Sequence, residues 1–265
     1  MNLSIFYNIS LWLVGLVIFI ILLSALEIGF RTGLKRHDLW KDADQGGGNI
    51  VQTSLFAVLG LVLAFTYSSS VSRYDARKAA VTTEANAIGT AFLRADLLAE
   101  PGRTELKASL LEYARTRTVP RGSVQNDEDR KVAIDRTLGK LEKIWPATVK
   151  AVSNEKPGPL LTSVITSINS ALDAHTIRIE AVFDRLPTVI IWMLIFIAAA
   201  ALSVAGFNAG IQGRMSRFRV SIFSAVLTVL IIVILDFDRP NVGLVIVENT
   251  HIDNLIVNME EKLDQ

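Results

Sequence analysis

Four stretches without a single Asp, Glu, Lys or Arg restrict what this chain can become: Ile9–Leu26, Ile50–Ser72, Pro187–Gly213 and Val220–Leu235. A helix rises ~1.5 Å per residue, so ~20 apolar residues match the hydrocarbon core of a bilayer. Inside that core every backbone N–H and C=O must be satisfied by the chain itself, which leaves helices or closed barrels. The prediction is an all-α membrane protein with four transmembrane helices and a helical extramembrane bundle continuous with spans 2 and 3.

Composition narrows the function classes. With 51% hydrophobic and 20% charged residues among 265, the chain is too apolar for an ordinary soluble domain. A net charge of +1 supplies no basic footprint for nucleic acid. The absence of cysteine removes thiolate chemistry, disulfides and Cys-ligated metals. The first run lacks a basic leader and an Ala-x-Ala-like end, and Glu27–Arg31 continues it as helix, so it reads as a retained span.

The expected organisation is residues 1–72 for spans 1 and 2, 73–186 for the extramembrane bundle, 187–238 for spans 3 and 4, and 239–265 for a tail. Val81, Ala85, Ile88, Phe92 and Ala95 recur at helical spacing with no breaker before Pro101. Span 2 therefore runs on through about residue 99, as one helix roughly 70 Å long. Leu106, Leu110 and Leu111 predict a helix closed by Pro120, and Val132, Leu138, Leu141 and Trp145 another, bent or ended at Pro146. Ile165, Ile168, Leu172, His175, Ile179, Val182 and Leu186 form a stripe leading into span 3, with Pro187 as its first residue or a kink. Gly46–Gly48 lacks the Lys-Ser/Thr of a phosphate loop and reads as a flexible turn. In the tail, Thr250 and Asp253 resemble a capping box before an apolar face of Ile252, Leu255, Ile256, Met259 and Leu263, which needs a cover.

Candidate functional residues fall into three groups. Span 2 carries a small-residue face (Thr53, Ala57, Gly60, Ala64, Ser68 and Ser72), and span 3 carries Ala199, Ser203, Gly206, Gly210 and Gly213. Small faces let helices approach closely in lipid, so these pack span 2 on span 3, or form a subunit interface or pore wall. In the pore reading, residues 66–70 offer hydroxyls to a conduit that Phe56 and Phe65 constrict. The second group is an ion-pair network of Glu27, Arg31, Arg73, Asp75, Arg77, Glu84, Asn86, Arg94, Asp96, Asp173 and Arg178. Glu27 and Arg31 have the favourable i, i+4 order. Glu84 shares a face with Ile88 and Ala95, so it needs a partner from Arg77, Arg94 or Arg178. His175 reads as a satisfied interface histidine. The third group, Asp236 and Asp238, is a weak calcium pair, because two carboxylates alone are too few oxygen ligands. The three histidines show no metal-ligand spacing, no cofactor is expected and no enzyme signature is present.

Several of these segments, taken together, resemble a known family. Ala25-Leu26-Glu27-Ile28-Gly29-Phe30-Arg31, Ser72-Arg73-Tyr74-Asp75, Glu84-Ala85-Asn86-Ala87-Ile88-Gly89-Thr90 and Leu235-Asp236-Phe237-Asp238-Arg239-Pro240 are similar to the bacterial bestrophin-like domain membrane proteins, a family without assigned function. Bestrophins are pentameric anion channels with four membrane helices per subunit, long helices leaving the bilayer, and aromatic rings narrowing the pore. The resemblance implies a homo-oligomer, a pentamer by analogy with bestrophins, in lipid of a bacterial inner membrane, passing inorganic ions along span 2. This chain lacks a bestrophin-like acidic run beyond Asp236 and Asp238. The basic residues Arg31, Lys35, Arg36 and Lys41, with Arg214, Arg217 and Arg219, put the bundle outside by the positive-inside rule, whereas the resemblance puts it in the cytoplasm. No side is assigned. The alternative function is a non-conducting membrane scaffold or stress-signalling protein that docks partners through its bundle and tail stripe.

Overall fold

The computed structural model describes residues 9–40, 46–118, 120, 123–124, 127–153, 155–240 and 243–264. Lys41, used above for charge bias, lies outside them. The helices are α1 (Leu11–Leu34), α2 (His37–Trp40), α3 (Gly46–Arg94), α4 (Gly102–Thr116), α5 (Asp127–Val152), α6 (Pro159–Phe183), α7 (Thr188–Ile211), α8 (Arg217–Asp238) and α9 (Thr250–Leu263). No strand occurs among the described residues. Four helices, α1, α3, α7 and α8, are long and apolar enough to cross a membrane.

The chain divides into two units, residues 1–72 with 185–239 and residues 73–184 with 240–265, so α3 contributes to both. At 49 residues α3 is about 74 Å long at ~1.5 Å per residue, close to expectation. Its first turn includes Gly46–Gly48, which the sequence alone suggests is a turn. The expected continuity of the bundle with span 3 is interrupted. Helix α6 stops at Phe183 and Pro187 caps α7, because proline lacks the N–H that a continuing helix would use.

In the membrane unit, Val14, Ile18, Leu22 and Leu26 present one i, i+4 stripe of α1 to Ile191, Leu194, Ala198 and Leu202 of α7 and to Leu227, Ile231 and Leu235 of α8. Beyond that stripe the two backbones almost touch. A Cβ on Gly29 or Gly33 would collide with the carbonyls of Ser203 and Phe207, and one on Gly206 or Gly210 with those of Leu26 and Phe30. The small face of span 3 therefore serves α1, not span 2. Lipid offers no hydrophobic drive between helices, so such close backbone packing supplies the association.

The extramembrane unit has its own core, with Ile88, Phe92 and Ala95 of α3, Leu106, Leu110 and Tyr113 of α4, Ile144 of α5, and Val164, Ile168 and Ala171 of α6. Helix α5 runs through Pro146 without ending there. Its expected apolar stripe is largely outward: Val132, Leu138 and Trp145 are exposed while Ile144 carries the burial. The tail belongs to this unit. Ile252 packs with Val81 and Ala85, and Met259 joins the main core, so its own chain already covers the stripe that motivated a docking role. The capping box does not form; Asn249 is the N-cap, and its side chain accepts no cap hydrogen bond.

Candidate functional site

Span 2 is the least covered of the four. Within its apolar window 11% of residues are buried, against 28% for α1 and 39% for each of the other two. Leu59, Thr66 and Ser70 are the residues buried along residues 50–70, and they mark the inner face. The small-residue stripe Thr53, Ala57, Gly60, Ala64, Ser68 and Ser72 is exposed along its whole length. A Cβ on Gly60 would meet nothing within 4 Å. The two phenylalanines part company. Phe65 is exposed, while Phe56 sits edge-on against Phe223 at 5.5 Å, inside an apolar recess of about 520 Å³ with Leu59, Gly60, Leu63 and Leu227. Nine residues apart on a helix means half a turn's rotation, so one face cannot present both. The hydroxyls divide likewise: Thr66 bonds back to Val62 O and Ser70 is buried, whereas Ser68 is exposed.

Helix α3 is tied to α7 by an amide contact that its sequence did not advertise. Asn208 Nδ2 donates to Gly48 O at 3.1 Å and to Gln52 Oε1 at 2.8 Å. Glu27 accepts from Arg31 Nε at 2.8 Å, with Arg217 3.9 Å away. Asp236 and Asp238 are buried, and both oxygens of Asp238 accept the Leu186 N–H, at 2.9 and 3.1 Å. Among the described residues, no group of three His, Asp or Glu gathers to hold a metal.

The extramembrane unit encloses a charged centre. Glu84 is fully buried on α3. Arg117 Nε approaches both its oxygens, at 2.8 and 3.0 Å, and Arg178 Nη1 donates to Oε2 at 2.7 Å. Tyr113 spends its one hydroxyl proton on Glu84 Oε1 at 2.5 Å. The phenol oxygen must then accept from His175 Nδ1 at 3.0 Å, which places the imidazole proton on Nδ1. Arg178 Nη2 also holds Arg117 O and Asn249 Oδ1, joining α6 to the residue before α9.

Of the residues singled out in sequence, Arg178 meets Glu84, whereas Arg94 donates to Ser163 O, Arg73 pairs with Asp184 at 3.2 Å, and Asp96 pairs with Lys107 at 2.7 Å. Asp75, Asn86 and Asp173 are exposed. Arg77 is buried nearby in the same unit. Sequence reasoning missed Tyr113 and Arg117, although their i, i+4 spacing across the end of α4 was a readable signal.

Burial alone would raise the Glu84 carboxyl, but Arg117, Arg178 and the Tyr113 hydrogen bond reverse that and hold it below its ordinary value. Burial, then the positive field of Arg117, pushes His175 down to about 4, against a partial pull upward from Glu84. Burial, then the Glu84 charge, raises Tyr113. Both Glu84 and His175 titrate lower folded than unfolded, so each contributes stability that is whole above its unfolded value and lost as pH falls through the folded one. For His175 that window runs from pH 6.5 down to about 4, with Glu84 adding to the loss below 4.5. The melting temperature of the detergent-solubilised chain is expected to fall steadily across it, and less so in His175→Gln; a flat profile would contradict the assignment.

The comparisons with known proteins agree with this architecture. Two crystal structures of a bacterial bestrophin homologue from Klebsiella pneumoniae, each with one substitution, share the fold at TM-scores of 0.64 and 0.62 and 12% identity. The first alignment covers 94% of this chain and 97% of that one, the second 92% and 99%. No curated protein sequence matches this chain significantly. Residues 14–252 match the Bestrophin-like domain, so this four-span helical protein belongs to the bestrophin-like family.

Proposed function

We propose that the protein is a homo-oligomeric ion channel of the membrane, with the exposed small-residue stripe of α3 turned toward the conduction pathway. The observation that carries this reading is the open surface at Gly60 and along its stripe. A helix face meant only for lipid gains most from bulky aliphatic groups, whereas small and hydroxyl-bearing residues suit helix approach or water. Likeness in fold to a bacterial bestrophin homologue supports the same reading. In a ring of copies Phe65 and Ser68 contribute to a constriction, and Phe56 buttresses α8 behind it.

Purified protein reconstituted in liposomes is expected to pass halide or K⁺ above the level of empty vesicles, with particle mass in nanodiscs a multiple of one chain. Flux equal to empty vesicles across pH and Ca²⁺, from particles of single-chain mass, would overturn the proposal.

A further inference from the structure

A cavity of about 570 Å³ lies within the extramembrane unit, a volume usual for sites that take small molecules. Arg77 of α3, Arg117 at the end of α4, Arg130 of α5 and Arg178 of α6 all line it. They are four of the five arginines buried among the described residues. Around them the same unit buries one carboxylate among the described residues, Glu84; the two acids on the lining, Glu248 and Asp253, are exposed. Each of these guanidiniums has protein partners, and with five N–H donors apiece the four converge on one cavity. Arg117 gives only its Nε to a hydrogen bond among the described residues, which leaves its two terminal nitrogens for the space it lines. Val81, Ile134, Ile179, Val182 and Ile246 line the same cavity and add aliphatic carbon.

We propose that this cavity binds a small organic phosphomonoester, with the dianionic head against the guanidiniums and an apolar body against the aliphatic side chains. Guanidinium forks match phosphate oxygens bidentately, and a dianion answers a surplus of cations better than a monocarboxylate does. Binding in this cavity is argued from its lining alone, whether or not the membrane unit conducts.

The test is calorimetric titration of phenyl phosphate into the whole chain in zwitterionic nanodiscs, above pH ~6 where the ester is a dianion. One saturable site is expected, with phenol giving no heat. Arg130→Gln, Arg77→Gln and the cavity-filling Ala133→Phe should each weaken binding by about tenfold or more, while melting curves report their folding. Any folded variant among the three suffices for the decision. A signal no larger than that of empty nanodiscs, or unchanged binding in the folded variants, would overturn the site. Dihexanoyl phosphatidic acid serves as the lipid arm, and its binding in place of phenyl phosphate would overturn assignment to a soluble ester.

Discussion

Glu84→Ala is expected to unfold the extramembrane unit, or to destabilise it by ~3–5 kcal/mol, the range for removing one partner from a buried ion pair. Among the described residues of that unit the carboxylate is the only buried acid, and it answers two buried guanidiniums directly. Without it, Arg117 and Arg178 keep their charges in a low-dielectric setting, and Tyr113 loses its acceptor. Glu84→Gln keeps the shape but not the charge, so it should recover only part of the loss. The contrast is Glu27→Gln. That residue holds a surface i, i+4 pair with Arg31, which is worth ~0.3–0.5 kcal/mol, and its removal should barely register. Thermal and denaturant melts of the purified chain read both. Equal effects from Glu84→Ala and Glu27→Gln would mean that the buried centre is not what holds this unit together.

Gly206→Leu is expected to abolish the folded membrane unit, whereas Gly60→Leu should leave it intact. The Cβ at 206 would enter the carbonyl of Leu26 and crowd the Phe30 N–H, both backbone atoms that cannot rotate away. The helices would have to separate, and packing between α1 and α7 falls steeply with distance because dispersion does. Gly29→Leu should behave alike, since its Cβ would strike Ser203 O. At Gly60 the same side chain enters open space. Monodisperse elution in detergent and thermal melts distinguish the two outcomes. If α3 lines a pathway as proposed, Gly60→Leu would then be a folded protein with altered flux or assembly. A Gly206→Leu chain as monodisperse and stable as the parent would show that the close crossing is dispensable.

Much of the architecture was legible because its physics is one-dimensional. Hydrocarbon thickness acts on consecutive residues, so the four uncharged runs announce themselves whatever surrounds them. The unbroken period from Val81 to Ala95 likewise foretold the long α3. Errors arose where a residue's meaning depends on what it faces. Val132, Leu138 and Trp145 share a plausible apolar pattern, but the interior chose Ile144 on the same helix. Pro146 suggested a bend or an end, and α5 continues through it. The glycines at 206 and 210 correctly signalled close packing, yet their partner was Gly29-x-x-x-Gly33 of α1, a matching pair overlooked in favour of span 2.

The charged centre divides in the same way. Glu84, placed among Ile88 and Ala95 on one helical face, had to be buried and had to find a cation, which follows from local periodicity and the cost of a lone buried charge. Which cation it found is a matter of chain return. Arg117 is 33 residues away and Arg178 is 94, and only the packing of α4 and α6 against α3 brings both to one carboxylate. The amino-acid order alone therefore determined the number of membrane helices and their lengths, through transfer of consecutive side chains out of water. Tertiary structure alone decided the partners, because helix pairing depends on surfaces assembled from residues far apart in the chain.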